Sequence, residues 1–281
     1  MTAFINLLLS LSVMMLLFGV GLTTPFGRVL AVARRYPLVA RGLLANFVLV
    51  PCLFSAALQG VSLAPDVVIG LLVLAAVPLA PLAPPFVQMA NGDVPFAVGL
   101  MVLAAFLGLF LTPIVLALTL PASGAGLYID FVKILQTLLI VQLIPLGVGM
   151  AINRHRPDWA RQLLRIVPKF ARLGVLSTMT LLAVGQVEQI AGLGALPHVV
   201  SLAAIVACLL IGDWVMRGQT SDIRRSSAVS TAIRNAALAL LIVNTNLPGT
   251  QAVTIVFVFG LWSLAVVFAY GKWRTGGTSG Q

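Results

Sequence analysis

The sequence predicts an all-α integral membrane protein of about nine transmembrane helices, two of them broken inside the bilayer. Three observations carry that prediction. The chain has 281 residues, of which 60% are hydrophobic and only 9% charged, whereas soluble domains carry about a quarter charged residues. The apolar residues are gathered into continuous runs of roughly 20, the length a helix needs to cross a hydrocarbon core. The runs do not alternate with polar residues, as strands of a membrane barrel would.

The runs divide into spans at about 3–22, 37–59, 65–90, 94–119, 128–151, 170–189, 196–216, 225–246 and 249–270. The first is read as a helix and not as a secretion signal. No cation precedes it, it is long for a signal's apolar core, and the Thr24-Pro25-Phe26-Gly27-Arg28 that follows is a poor cleavage site. Residues 1–270 are then one transmembrane unit, followed by a short tail at 271–281. Its core helices are expected at about 65–151 and 196–270, together with 37–59.

Cations orient these spans. Arg28, Arg34, Arg35 and Arg41 lie in or beside the first link. Arg154, Arg156, Arg161, Arg165, Lys169 and Arg172 surround the link between spans five and six. Arg217, Arg224 and Arg225 follow span seven, and Lys272 and Arg274 are in the tail. That is 15 of the 17 cations, and nine spans put all 15 on one side. The positive-inside rule then predicts an outside N-terminus and a cytoplasmic C-terminus, as expected in a plasma membrane and specifically a bacterial inner membrane. The net charge of +10 is thus topological, and the partner it implies is a bilayer, not nucleic acid.

The sequence offers little to an enzyme. Cys52 and Cys208 sit in separate apolar runs, and His155 and His198 have no ligand partners nearby. No metal, nucleotide or nucleophile motif is present. No metal and no cofactor are expected.

Two spans have anomalous centres. Span three contains Pro78, Pro81, Pro84 and Pro85 within eight residues. Each removes a backbone donor and clashes with the preceding turn, so a continuous helix is not expected there. Span eight contains "SSAVSTAIRNAAL", small and hydroxylic up to Arg234 and Asn235, then apolar. Arg234 is about ten residues from either end, roughly 15 Å at helical rise. A cation that deep faces a bundle interior or a watery cavity. Lys133, by contrast, lies near a span end and can snorkel. One interrupted span in each half of a chain is a pointer to the substrate site of an inverted-repeat secondary carrier.

These segments resemble the bile acid:sodium symporter family. The resemblance is carried by "FGVGLT" at 18–23, "YPLVARGLLANFVLVP" at 36–51, "MANGDVPFAVGL" at 89–100, "FLTPIVL" at 110–116 and "STAIRNAALAL" at 230–240. It covers most of residues 12–270. It implies two inverted repeats of four and five helices, the family's first helix being absent, with a panel domain and a core domain. The two broken helices would cross in the core, and organic anions would move by alternating access, commonly with sodium.

The departures from the family pattern matter as much. The family's sodium-binding glutamate falls at Ser230 and its glutamine at Arg234, while its asparagine is kept as Asn235. The polar residue of an earlier helix is Asn46. The Ser-Asn pair of the first broken helix falls on Ala83 and Pro84, beside Pro81, and hydroxyls of the next helix fall near Met101 and Ala105. With the carboxylate lost and a guanidinium installed, the expectation is a carrier of a small organic anion that works without sodium. Arg234 would take over the ions' charge, and Ser230, Thr231, Asn235 and Asn46 would line the site. Arg234 capping unwound carbonyls of span three is the plainer alternative. A conventional sodium symporter with ligands elsewhere, and a non-transporting membrane sensor, are the competing functions. Asp213 is the one acid well inside a span and the candidate for proton coupling, although Arg217, one turn away, could simply pair with it.

Overall fold

The computed structural model describes residues 2–120 and 130–276. Its elements are α1 (Thr2–Thr23), α2 (Phe26–Ala33), α3 (Tyr36–Leu44), a π-helical turn (Ala45–Leu49), α4 (Val50–Gln59), α5 (Pro65–Ala76), α6 (Ala83–Met89) and α7 (Val94–Thr119). After the undescribed stretch come α8 (Phe131–Thr137), a second π-helical turn (Leu138–Leu143), α9 (Ile144–His155), α10 (Pro157–Leu163), α11 (Val167–Gly185), α12 (Val187–Gly192), α13 (Ala195–Val215), α14 (Ser221–Ala232), α15 (Ala236–Asn246) and α16 (Gln251–Gly276). Among the described residues there is no strand.

Eight stretches in these residues are long and apolar enough to cross a membrane, and Pro65–Ala76 is a shorter apolar helix. The expected spans correspond to them one for one, with the third divided between α5 and α6. Positions 128 and 129, the expected start of span five, lie outside the described residues. Span nine runs further than expected, because α16 continues through Lys272 and Arg274 to Gly276. Large apolar side chains such as Leu118, Leu173, Leu176, Val184 and Leu210 face outward, as lipid contact allows and water does not.

The helices sort by packing. The first helix, α1, lies against α9 and α11, whereas α16 packs on α5, α13 and α15, and α14 runs along α13. Ser221–Asn246 is buried along almost its whole length, while Val167–Gly185 is mostly outward-facing. The α1–α9 crossing is close enough to need glycine on both sides. A Cβ on Gly21 would sit 2.4 Å from the Leu146 carbonyl oxygen, and one on Gly149 would sit 2.4 Å from that of Phe18.

Prolines explain two irregularities that apolar run length does not reveal. Pro51 and Pro145 each lack an N–H and crowd the carbonyl four residues back. In both helices the turn just before the proline widens to π geometry, at Ala45–Leu49 and Leu138–Leu143. The widened turns hold the buried Asn46 and Gln142. Gln142 donates through Nε2 to the Ala105 carbonyl at 3.0 Å, and Asn46 belongs to the site below. Three short helices, α2, α10 and α12, occupy links that composition presents as plain connections.

Candidate functional site

The site is the crossing of the two interrupted spans. The first helix, α5, stops at Ala76, and the chain runs without helix through Pro78 and Pro81 before α6 starts at Ala83. Pro84 and Pro85 open α6, where a missing N–H costs nothing. So two of the four prolines break the span, and the other two begin its second half.

In span eight no proline or glycine is needed. The helix ends at Ala232, and Asn235 restarts it by accepting the Leu238 N–H at 3.2 Å on its side-chain oxygen. The two breaks touch directly, the Ala80 N–H donating to the Ile233 carbonyl at 3.1 Å. Ser226, Ser227, Ser230 and Thr231 on α14 are buried, and their small size lets α13 approach closely.

Arg234 lies at this crossing, 1% exposed. Its role follows from counting the carbonyls at the end of α5. A helix leaves its last four carbonyls without intrahelical partners, and at membrane depth each must be satisfied. Val73 receives the Val77 N–H at 3.1 Å. Leu74 receives Nε of Arg234 at 3.1 Å, and Ala75 receives Nη2 of the same guanidinium. Ala76 receives the Thr112 hydroxyl at 3.1 Å. All four are accounted for, two of them by one side chain that comes from 160 positions further along the sequence. The negative end of the α5 dipole also meets a positive charge there.

The same guanidinium reaches α3–α4. Its Nη1 donates to the side-chain oxygen of Asn46 at 2.8 Å, and Nη2 lies 3.4 Å from the Asn46 carbonyl. The Asn46 amide in turn donates to Gly42 at 2.9 Å and to the Thr231 hydroxyl at 3.3 Å. Arg234 has no carboxylate partner among the described residues. No group of three His, Cys, Asp or Glu side chains converges there either.

Asn46 therefore fixes the guanidinium on one side and Thr231 on the other. Asn46→Leu is expected to lower stability by roughly 2–3 kcal/mol, the loss typical of a buried hydrogen bond to a charged group. Chemical denaturation in detergent measures it, and Thr231→Val should cost less than half as much.

A cavity of about 280 Å³ lies beside the crossing. Ala80, Pro81 and Leu82 of the first break and Arg234, Asn235 and Ala236 of the second form one wall. Side chains of α1, α11 and α16, among them Ser12, Met179 and Ser263, form the other. The lining is almost wholly apolar. Asn235 uses its side-chain oxygen as a cap, and its amide nitrogen makes no hydrogen bond among the described residues.

The structure brings Arg234, Asn46 and Thr231 into contact and sets Asn235 and Pro81 on the cavity wall. Ala83 is buried at the start of α6, and Pro84 follows it. Ser230 is buried, and its hydroxyl has no hydrogen-bond partner among the described residues. Met101 and Ala105 are buried on α7. Asp213 is elsewhere, at the far end of α13. It pairs with Arg224 of α14 and not with Arg217, because the approach of α14 brings a better-placed cation than the helix's own next turn. The far cavity wall had no signal in sequence, being ordinary apolar helix.

Comparison with known families agrees with this architecture. The model of the sodium bile acid symporter family matches residues 8–193. That match includes the first broken helix and ends before the second, which carries Arg234. No match was found among curated proteins. With two thirds of its length matched and two interrupted spans crossing in its core, the chain belongs to the sodium bile acid symporter family, a family of membrane transporters.

Proposed function

We propose that this protein carries a small organic anion by alternating access without sodium, Arg234 serving as a tethered cation in the place of the family's ions. The observation that carries this reading is the bonding of the guanidinium. Main-chain carbonyls and an amide oxygen are the neutral oxygens a sodium ion would seek, and here Leu74, Ala75 and Asn46 give theirs to Arg234. The carboxylate that would balance bound sodium is replaced by Ser230.

Arg234 is part of the cavity wall, and its donors are taken by Leu74, Ala75 and Asn46. It leaves one uncompensated positive charge at the crossing, and an anion about 6 Å away would gain roughly 3 kcal/mol at an effective dielectric of about 20. The anion's direct partners would be the Asn235 amide and the first turn of α15, with the helix's positive end towards it. The apolar lining suits a substrate with a hydrocarbon body. The cavity volume, about 280 Å³, is just below the ~300–1,000 Å³ range of ligand pockets, which favours a small substrate. Asp213, paired with Arg224 away from the cavity, is a poor proton-coupling group by this geometry.

Orientation follows the cations. The positive links also touch one another: Arg154 lies over the Phe26 ring at 5.7 Å, and Arg35 is 3.7 Å from Asp93, whose N–H bonds to Asp222. This supports a cytoplasmic end made of those links, an N-terminus outside and residence in a plasma membrane, bacterial inner membrane included.

A stabilisation screen tests the substrate class. Short and branched carboxylates, keto acids, pantothenate-like acids, bile acids and sulfonates would be compared with their amides by thermal unfolding of the purified protein. Small monoanions with an apolar body should raise the midpoint, and matched amides should not. Equal shifts from acid and amide would refute the anion reading.

A further inference from the structure

Three guanidinium groups converge at the end of the bundle that carries the positive links. Arg224 and Arg225 come from the start of α14 and Arg274 from the end of α16. With Ser221 and Asp213 they line a pocket of about 70 Å³. Its charge does not cancel. Asp213 pairs with Arg224, while Arg225 and Arg274 have no carboxylate partner among the described residues.

Its donors are not satisfied either. Nε of Arg224 and Nε of Arg274 are buried without an acceptor among the described residues, and so, outside the pocket lining and one turn before Arg274, is the hydroxyl of Tyr270. Buried N–H and O–H groups cost free energy until an acceptor arrives. A solute with several anionic oxygens on one atom answers both deficits, and the planar guanidinium fork suits it.

The place indicates where such a group comes from. Arg274 lies over the rings of Trp273, at 4.6 Å, and Tyr270, at 5.3 Å. Trp273 is 67% exposed, and amphipathic aromatic rings at a span's end sit at headgroup level. Basic pockets between helices at that level hold lipid phosphates. The end of α13, the start of α14 and the end of α16 would all be tied through one ligand.

We propose that the Arg224–Arg225–Arg274 pocket binds a phosphate-bearing anion, supplied in the membrane by the headgroup of an anionic phospholipid. The proposal is independent of what the carrier transports.

The test uses full-length protein in phosphate-free detergent. Thermal unfolding is followed while phosphatidylglycerol or cardiolipin is titrated in, with phosphatidylcholine as the neutral control and inorganic phosphate as a separate arm. Anionic lipid at about a hundredfold excess over its Kd should raise the midpoint by on the order of 5 °C. The double variant Arg225→Gln/Arg274→Gln should lose that shift. Arg224 is left in place because removing it would strand Asp213. The equally neutralised Arg161→Gln/Arg165→Gln, on exposed residues near α10, should keep it. Arg225→Gln alone, which leaves α16 intact, should weaken the shift and guards against a folding defect in the double variant.

A shift from inorganic phosphate with the same residue dependence, and none from lipid, would support the site with free phosphate as its source. No shift from either, an undiminished shift in the Arg225/Arg274 variant, or equal loss in both double variants would overturn it.

Discussion

Replacing Arg234 by methionine should lower stability by on the order of 4 kcal/mol and abolish transport. Methionine has similar reach and no donor. It would leave the Leu74 and Ala75 carbonyls and the Asn46 amide oxygen without their partner at a depth where water cannot replace it. Each stranded group costs about 1–3 kcal/mol. Arg234→Lys should recover part of the stability, since an ammonium keeps the charge and has three donors but not the fork. Arg234→Gln offers donors without charge, so it separates the two roles. Chemical denaturation reads the capping of α5, and uptake reads the charge. If Arg234→Met unfolds at the wild-type denaturant concentration, the guanidinium is not the cap described above.

The second large effect is expected at Gly212. A Cβ there would sit 2.5 Å from the Ser227 carbonyl oxygen and 2.7 Å from the Ala228 Cα. Both are backbone atoms of α14, so no side-chain rotation relieves the clash. Gly212→Val must push α14 away from α13 and carry the crossing with it, because Arg234 follows only two turns later. The expected loss is roughly 3 kcal/mol or more, at the upper end for an overpacked core, with uptake falling in step. Gly192→Ala is the control, since a Cβ at that position meets nothing within 4 Å. Equal melting points for the Gly212 and Gly192 variants would mean that α13 and α14 do not approach closely in the membrane.

Much of this architecture was legible in the sequence because lipid imposes simple demands. Run length marks the spans, and the proline cluster marks the first interruption. A charged residue ten positions from either end of an apolar run has to be answered by something, which singled out Arg234. The plainer alternative, that it caps unwound carbonyls of span three, is what the hydrogen bonds show, but which carbonyls these are was not legible. The Leu74 and Ala75 carbonyls belong to a helix that looks uniformly apolar, and main-chain acceptors leave no mark on residue type. Asn46 was expected opposite Arg234 on family resemblance, and the reason it reaches is the π turn that Pro51 imposes. The partner of Asp213 was misread because spacing along one helix says nothing about a neighbour's approach. The second interruption differs again. It has no proline, and its signals were the small hydroxyl residues before the break and the charge of Arg234; that Asn235 caps α15 emerged only from the structure.

The proposed tethered cation would also connect fold and transport. In a sodium-coupled carrier the ions would hold two broken helices together only while bound. A guanidinium that caps α5 and grips Asn46 would hold them whether or not an ion is bound, so the crossing would be permanently assembled and permanently positive. On that reading the Ser230→Glu/Arg234→Gln double variant should acquire a stabilisation by sodium, and the natural protein should show none.

Uptake into proteoliposomes, with sodium on both sides, on one side or replaced by choline, tests the tethered-cation reading most directly. The substrate is the anion that the stabilisation screen selects. Initial rates should be the same in all three conditions for the natural protein and should vanish for Arg234→Gln. Uptake that requires an inward sodium gradient and persists unchanged in Arg234→Gln would contradict it.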